Sequence, residues 1–384
     1  MKYLCILLAI TILMLITACS NETNVPSFND EDHTVKYEEP SQQAPTLQES
    51  SPTEPVPPSA GHIHLYGEMH GLEHMIDKHF ELWSYYYTVH GMRHLILEAP
   101  FFTAEFLNIW MHEDNDDILD AVFQDKRGTA ADTVYQREFY RRVKRELPET
   151  IFHGVDVGHQ HNTTGARFLS HLRANSLEDS ELYRLAEENI EQGREFYGSR
   201  NIDHNWRTVV MANNFIRVFD SLYDESVMGQ FGGFHVNTPE TRTNPVATRN
   251  MISVLIERYG ENVHTTDLVE YFARQLTGIP DVVVVGGAEY DAAFYGVQDM
   301  RAWNLDYAMR EFWLLTDENV YEIFKDYPTT GNVLPFNNFP MLVEPGQVAV
   351  IRYSRFDDTY RTEYLRSDGA VWQGMEVFST FYIP

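Results

Sequence analysis

Cysteine is almost absent from this chain. The 384-residue sequence holds two, Cys5 and Cys19, both within its first twenty positions. Beyond Ser20 there is therefore no disulfide framework, no zinc–thiolate site and no cysteine nucleophile. Basic residues are scarce as well: 29 Lys and Arg stand against 57 Asp and Glu, a formal net charge of −28. Such a chain lacks the basic face that a phosphate backbone requires, which excludes a general nucleic-acid binder. No internal repeat is present. What the sequence does have is ample material for a core. Its 43% hydrophobic and 22% charged residues are the proportions of a folded protein, and its length suggests two or three domains.

Residues 1–18 read as an address. After Lys2, positions 4–17 form an apolar stretch too short and wrongly flanked to span a membrane. It closes as Leu15-Ile16-Thr17-Ala18-Cys19. This resembles the lipobox of bacterial lipoproteins. The resemblance implies cleavage before Cys19, lipidation of its sulfur, and anchoring outside the cytoplasm to the cell membrane or outer membrane. Residues 19–60 then read as an acidic tether, with seven of the seventeen prolines, eight acids and the single base Lys36. So little apolar surface cannot offset the entropy of ordering.

From Gly61 onward strand-like and helix-like segments alternate. Strands are expected near 62–67, 93–97, 150–157, 227–234 and 262–268. Helices are expected near 73–90, 102–112, 116–124, 133–147, 165–175, 179–196, 202–222 and 245–258. This order predicts an α/β fold over 61–297, a mostly parallel sheet covered by helices. The helices of 165–222 form a lid or insertion. Asp281–Gly286, with four successive valines, suggests a strand buried on both faces. Residues 298–384 read as a C-terminal appended element, with a helix near 300–315 and strands at 347–353, 359–365 and 376–382.

Several strand ends carry chemistry. Tyr66-Gly67-Glu68-Met69-His70-Gly71 lies where a strand gives way to a helix, the usual place for a site on a parallel sheet. Residues two apart in an extended chain share a face, so Glu68 and His70 point into one crevice. His62 and His64 continue that parity, but at about 3.3 Å per residue they lie too far back to join it. Leu95-Ile96-Leu97-Glu98-Ala99-Pro100 runs into a carboxylate and a proline that stops the strand. Phe231-Gly232-Gly233-Phe234-His235 repeats the pattern of a strand ending in glycine and histidine, and Arg207 offers a cation on a long helix. Asp156 and His159 close another strand. An alternative parse is His70-Gly71-Leu72-Glu73-His74, which matches the H-x-x-E-H pattern of zinc peptidases. That pattern needs both histidines one turn apart in a formed helix, and Gly71 sets His70 at or before the helix start.

Taken in order, G-E-x-H-G after a first strand, a Glu closing the second, R-x-x-x-M-A-x-N in a later helix and a histidine ending a later strand resemble the erythromycin esterase-like, ChaN-like and TraB/Tiki superfamily. The resemblance covers about 61–237, and the segment from Asp281 to Tyr295 looks like the closing strand region of its esterase-like members. By matching position it implies site roles for Glu68, His70, Glu98, Arg207 and His235. Three departures separate the chain from macrolide esterases proper. These usually have one more residue between the Glu and His, an Asp where Thr208 follows Arg207, and a His-Asn pair where Gly232-Gly233 precede His235.

The implied activity is hydrolysis of an ester, lactone or peptide bond in a small-molecule or peptide substrate. In a metal-free version His70 deprotonates water, Glu68 or Glu98 fixes its tautomer and Arg207 steadies the oxyanion. In a metal version Glu68, His70, Glu98 and His235 hold a divalent Zn, Mn, Co or Fe ion. A second class of function is a haem- or iron-binding lipoprotein, as the ChaN-like branch suggests.

Overall fold

The computed structural model describes residues 60–198, 204–236, 250–275, 277–301, 304–333, 339–341, 343–372 and 375–383. The signal-peptide and tether readings, Cys19 included, lie outside these residues.

Five strands, β1 (Ile63–Glu68), β2 (His94–Pro100), β3 (Ile151–Asp156), β4 (Val227–Gly232) and β5 (Val263–Asp267), pair in parallel in the order β3-β2-β4-β1-β5. Helix α1 (Glu73–Val89) links β1 to β2. Helices α2 (Phe101–Trp110), α3 (Asp117–Asp125) and α4 (Val134–Glu146) link β2 to β3. Helices α5 (Ala166–Ala174), α6 (Glu181–Gly198) and α7 (His204–Ser221) lie between β3 and β4. The single turn α8 (Gly233–Val236), then α9 (Met251–Tyr259) and α10 (Leu268–Gln275), complete this part.

The alternation of each strand sorts its side chains to two faces. Leu95, Leu97 and Met228 enter one core with Phe80 and Trp83 of α1 and Phe139 and Val143 of α4. Ile63, Leu65, Ile96 and Val227 enter a second with Met211, Phe215 and Phe219 of α7 and Leu255 of α9. The sheet is thus covered by helices on both faces. Within the 165–222 insertion, α7 is sheet cover, while Phe168 and Leu172 of α5 and Ile190 of α6 pack on Phe102 and Phe106 of α2.

The chain builds β1, β2 and β3 outward but leaves β1 and β2 apart, and β4 returns to fill the gap. The carboxyl ends of β1, β4 and β2 therefore lie side by side where the strand order reverses, the place where open α/β sheets form their ligand crevice.

A second, antiparallel sheet follows. Its strands are β6 (Ile279–Val285), β7 (Ala288–Asp299), β8 (Tyr307–Leu315), β9 (Thr329–Val333), β10 (Val348–Arg355), β11 (Tyr360–Trp372) and β12 (Met375–Phe381), in the order β6-β7-β8-β10-β11-β12-β9. A short helix α11 (Val320–Phe324) precedes β9.

Three expectations are corrected here. The 300–315 segment is mostly strand β8, not helix. It sits inside the sheet with Trp313 and Leu315 in one core and Phe312 and Leu314 in another, so apolar residues fill consecutive positions and erase the period-two signal. The valine run 282–285 is the edge strand β6 with Val282 and Val284 exposed, not a strand buried on both faces. With β7 it forms an antiparallel pair in the second sheet rather than closing the parallel one. The second sheet thus begins at Ile279, ahead of the boundary expected at 298.

Candidate active site

β1 delivers Glu68 almost fully buried at its carboxyl end. Three residues on, the chain turns through Gly71 at φ +83°, a left-handed conformation that favours glycine. The turn folds His70 back over the strand end, where His70 Nδ1 lies 2.8 Å from Glu68 Oε1. The other carboxylate oxygen accepts from Gln230 Nε2 at 3.1 Å. His79 Nδ1 lies 3.0 Å from that same oxygen, an ion-pair distance. Neither nitrogen of this fully buried ring makes a directed hydrogen bond.

β2 delivers Glu98 from the face that α7 covers. Glu98 Oε1 accepts from Arg207 Nη2 at 2.7 Å and lies 3.3 Å from His235 Nε2; Oε2 accepts from the Gly232 N–H at 2.6 Å. Arg207 also grips Asp156 at the end of β3, with Nε 2.9 Å from Oδ1 and Nη2 2.5 Å from Oδ2. Asp156 in turn pairs with His159 Nε2 at 3.0 Å, and His159 Nδ1 bonds the Tyr197 hydroxyl.

The two halves meet over Gly232. A Cβ at that position would stand 3.3 Å from Glu98 Oε2 and 3.4 Å from His70 Nε2. The missing side chain leaves His70 Nε2 facing open space beside Glu98. Glu68, His70 and Glu98 line a pocket of about 40 Å³ with Gln136, Tyr140 and Gln230, room for a few water molecules.

Electrostatics follow from these contacts. Burial alone would raise Glu68, but the imidazoles of His70 and His79 hold it at about 2. Burial alone would lower His70. The Glu68 hydrogen bond and charge, helped by Glu98, push it up to about 9, although 38% of its side chain is still exposed. Burial also opposes the charge on Glu98, yet His235 and Arg207 hold it well below the usual carboxylate range. Asp156 is likewise held low by Arg207 and His159 against burial.

The structure thus brings Glu68, His70, Glu98, Arg207 and His235 into one cluster. It leaves His62 and His64 at the opposite end of β1, stacked on His264 at 5.3 and 4.8 Å between ring centres. The zinc-peptidase parse is corrected. Helix α1 starts at Glu73, so His70 stands outside it, and His74 packs edge-on against Phe272 in a separate cleft. Among the described residues no group of three or more His, Asp or Glu is arranged to hold a metal ion. The donors of the main cluster are turned on one another and on Arg207.

Sequence reading missed His79, Gln230 and the weight of Asp156. His79 lies in the buried stripe Ile76, His79, Phe80, Trp83 of α1, at the spacing of a helix face. Gln230 is a buried amide in an otherwise apolar strand. Asp156 ends β3 as Glu68 and Glu98 end β1 and β2. Gln298 carries no such signal. From β7 its Nε2 donates to the His70 carbonyl at 2.6 Å, while its own oxygen accepts from Arg310 Nε at 3.0 Å and Nη2 at 2.6 Å.

No protein-family model matches the chain, and no curated protein matches it. Among solved structures it is similar to an erythromycin esterase EreC mutant in its open conformation, at 13% identity and TM-score 0.39, covering 58% of this chain and 72% of that one. It is also similar to a Bacillus cereus protein at 12% identity and TM-score 0.38, over 54% of this chain and 65% of that one. A succinoglycan biosynthesis protein matches at 13% identity and TM-score 0.35, over 54% and 66%. The chain thus spans slightly less than two-thirds of the second and third of these.

Proposed function

We propose that the chain is a hydrolase of the cell envelope, tethered by a lipid on Cys19, that activates water with His70 against an ester, lactone or peptide bond. The observation that carries this reading is the His70 ring. Its Nδ1 is held by Glu68, and its Nε2, which has no hydrogen-bond partner among the described residues, faces the gap over Gly232. A carboxylate fixing one nitrogen so that the other moves a proton is the arrangement of a general base.

In this mechanism a water above Gly232 gives its proton to Nε2 as its oxygen attacks the carbonyl, and the imidazolium then returns that proton to the leaving group. Glu68 stabilises the charged ring. Arg207, shared between Glu98 and Asp156, offsets part of their charge, which lessens the repulsion of the developing negative charge while Glu98 orients the water. Gln230 and His79 fix Glu68 from below.

A hydrolysis screen over esters, lactones and short peptides tests the proposal, comparing the purified chain with its His70→Ala variant. Turnover that depends on His70 supports it. Turnover by no compound, or turnover indifferent to His70, refutes it.

A further inference from the structure

Lysine is rare here: the sequence has six. Four lie among the described residues, and three of these hold an oxygen. Lys78 pairs with Glu81 at 2.8 Å, Lys144 donates to the carbonyls of Trp110 and Glu113 at 2.7 and 2.5 Å, and Lys325 pairs with Glu322 at 2.5 Å. Lys126 is the exception. The residue is only 5% exposed and its ammonium makes no hydrogen bond or ion pair within 4 Å among the described residues; the charge of Asp132 acts on it from farther away. The rings of Phe123 and Tyr140 stand 5.4 and 5.8 Å from Nζ to their centres.

Its location gives that isolation a meaning. Lys126 caps the carboxyl end of α3, its N–H bonded to the Val122 carbonyl at 3.1 Å. Thr129 bonds its carbonyl twice, through N–H at 3.0 Å and the hydroxyl at 2.7 Å. The backbone is thereby pinned, and Lys126 lines the same pocket as Glu68, His70 and Glu98. Both carboxylates there are already engaged, Glu68 by His70 and Gln230, and Glu98 by Arg207 and the Gly232 N–H. Lys126 is thus a cation of the pocket that no carboxylate holds by a hydrogen bond, although the chain as a whole is strongly acidic. An ammonium largely withdrawn from bulk water and held by no carboxylate gains by meeting an anion that enters the pocket.

We propose that Lys126 anchors a carboxylate-sized anionic group of the substrate, so that the bond to be cleaved lies at His70 Nε2. This rests on the hydrolase reading of the site and adds the substrate class: an ester, lactone or peptide carrying a carboxylate close to the reacting carbonyl. Burial draws Lys126 down only to about 8, so the ammonium form persists at neutral pH. Lys126 binds; His70 carries the chemistry.

The test has two arms on the full chain. In the first, the protein carries ¹³C-labelled lysine, the Lys126 signal is assigned with Lys126→Arg, and sodium acetate is titrated at pH 7 and constant ionic strength. The expected result is a saturable shift at Lys126 with Lys78 and Lys325 unmoved. No shift, or one shared by all lysines in proportion to salt, overturns the proposal. In the second, Lys126→Met lowers kcat/KM for a carboxylate-bearing ester about 10–100-fold more than for its methyl ester, the worth of one charge-assisted hydrogen bond. Lys126→Arg restores part of that selectivity. Equal effects on the two esters overturn the proposal and leave the hydrolase reading intact. If the wild type hydrolyses neither ester, the hydrolase reading fails for this substrate class, and the acetate titration still decides whether Lys126 is an anion site.

Discussion

His70 Nδ1 lies 2.8 Å from Glu68 Oε1, and that bond decides which nitrogen of the ring is left to meet a substrate. The ionised carboxylate can only accept, so Nδ1 carries the hydrogen and Nε2 turns toward the gap over Gly232. The relationship depends on a two-residue spacing and a left-handed glycine, both local, and on Gln230 and His79, which hold Glu68 from β4 and α1.

The pH dependence follows from the same pair. His70 is raised from 6.5 to about 9, so at neutral pH the ring is charged and must lose its proton to act as a base. The rate of hydrolysis, as kcat/KM, should rise with pH and level off above about 9. Glu68→Gln removes the main interaction that favours the charged ring and should move this limb down. A pH–rate profile checks both, and a wild-type limb near 6.5, or one that Glu68→Gln leaves in place, contradicts the assignment.

Linkage adds a stability signature. A raised histidine contributes stability fully present below pH 6.5 and lost as pH rises through about 9. A lowered carboxylate contributes stability present above pH 4.5 and lost as pH falls through about 2. The melting-temperature loss in His70→Ala should therefore be largest between pH 4.5 and 6.5 and shrink above about 9.

Arg207 is bound to two buried acids at once. Arg207→Met leaves Glu98 and Asp156 without their cation and should cost about 3–5 kcal/mol. Adding Asp156→Asn should recover part of this, because one uncompensated charge is removed. Urea denaturation of the single and double variants measures it, and a loss under about 1 kcal/mol would show that the acids find other partners.

The second sheet reaches the site through Gln298. Gln298→Leu removes the hydrogen bonds to the His70 carbonyl and from Arg310 and should cost about 1–3 kcal/mol. Hydrogen exchange at the Gly71 and Leu72 amides should quicken, and kcat/KM should fall as His70 loses its fixed position. Unchanged exchange there would mean that Gln298 does not support the turn, which the Asp299 N–H also holds through the Gly71 carbonyl at 3.3 Å.

Much of this arrangement is legible in the chain because its signals are local. β1, β2 and β4 are short, largely apolar segments between helices, and Glu68, Glu98 and His235 stand out as polar residues where they stop. What is not legible depends on partners far along the chain. Gln298 meets His70 across 228 positions, and a glutamine in an antiparallel strand has no reason to stand out. His79 is hidden for the opposite cause: its helix is obvious, but a polar residue on the apolar stripe passes as an irregularity until the Glu68 carboxylate is placed opposite it. The 300–315 segment misleads because a strand buried on both faces loses its alternation.

The lipoprotein reading has its own test. Cys19→Ser should leave the precursor unprocessed or release the protein from membranes in fractionation. Deleting 21–59 should shift the melting temperature by no more than a degree or two, since an acidic, proline-rich tether contributes few native contacts. Normal processing and retention of Cys19→Ser would remove the anchor from the account.

The central claim is that His70, held by Glu68, moves the proton in hydrolysis. The most direct measurement compares turnover in His70→Ala and His74→Ala on whichever compound the wild type cleaves. The account predicts a loss of about 10²–10⁴ for His70→Ala, the usual worth of a positioned general base, and little change for His74→Ala, whose ring packs against Phe272 in another cleft. Equal losses in both variants, or full activity in His70→Ala, would contradict it.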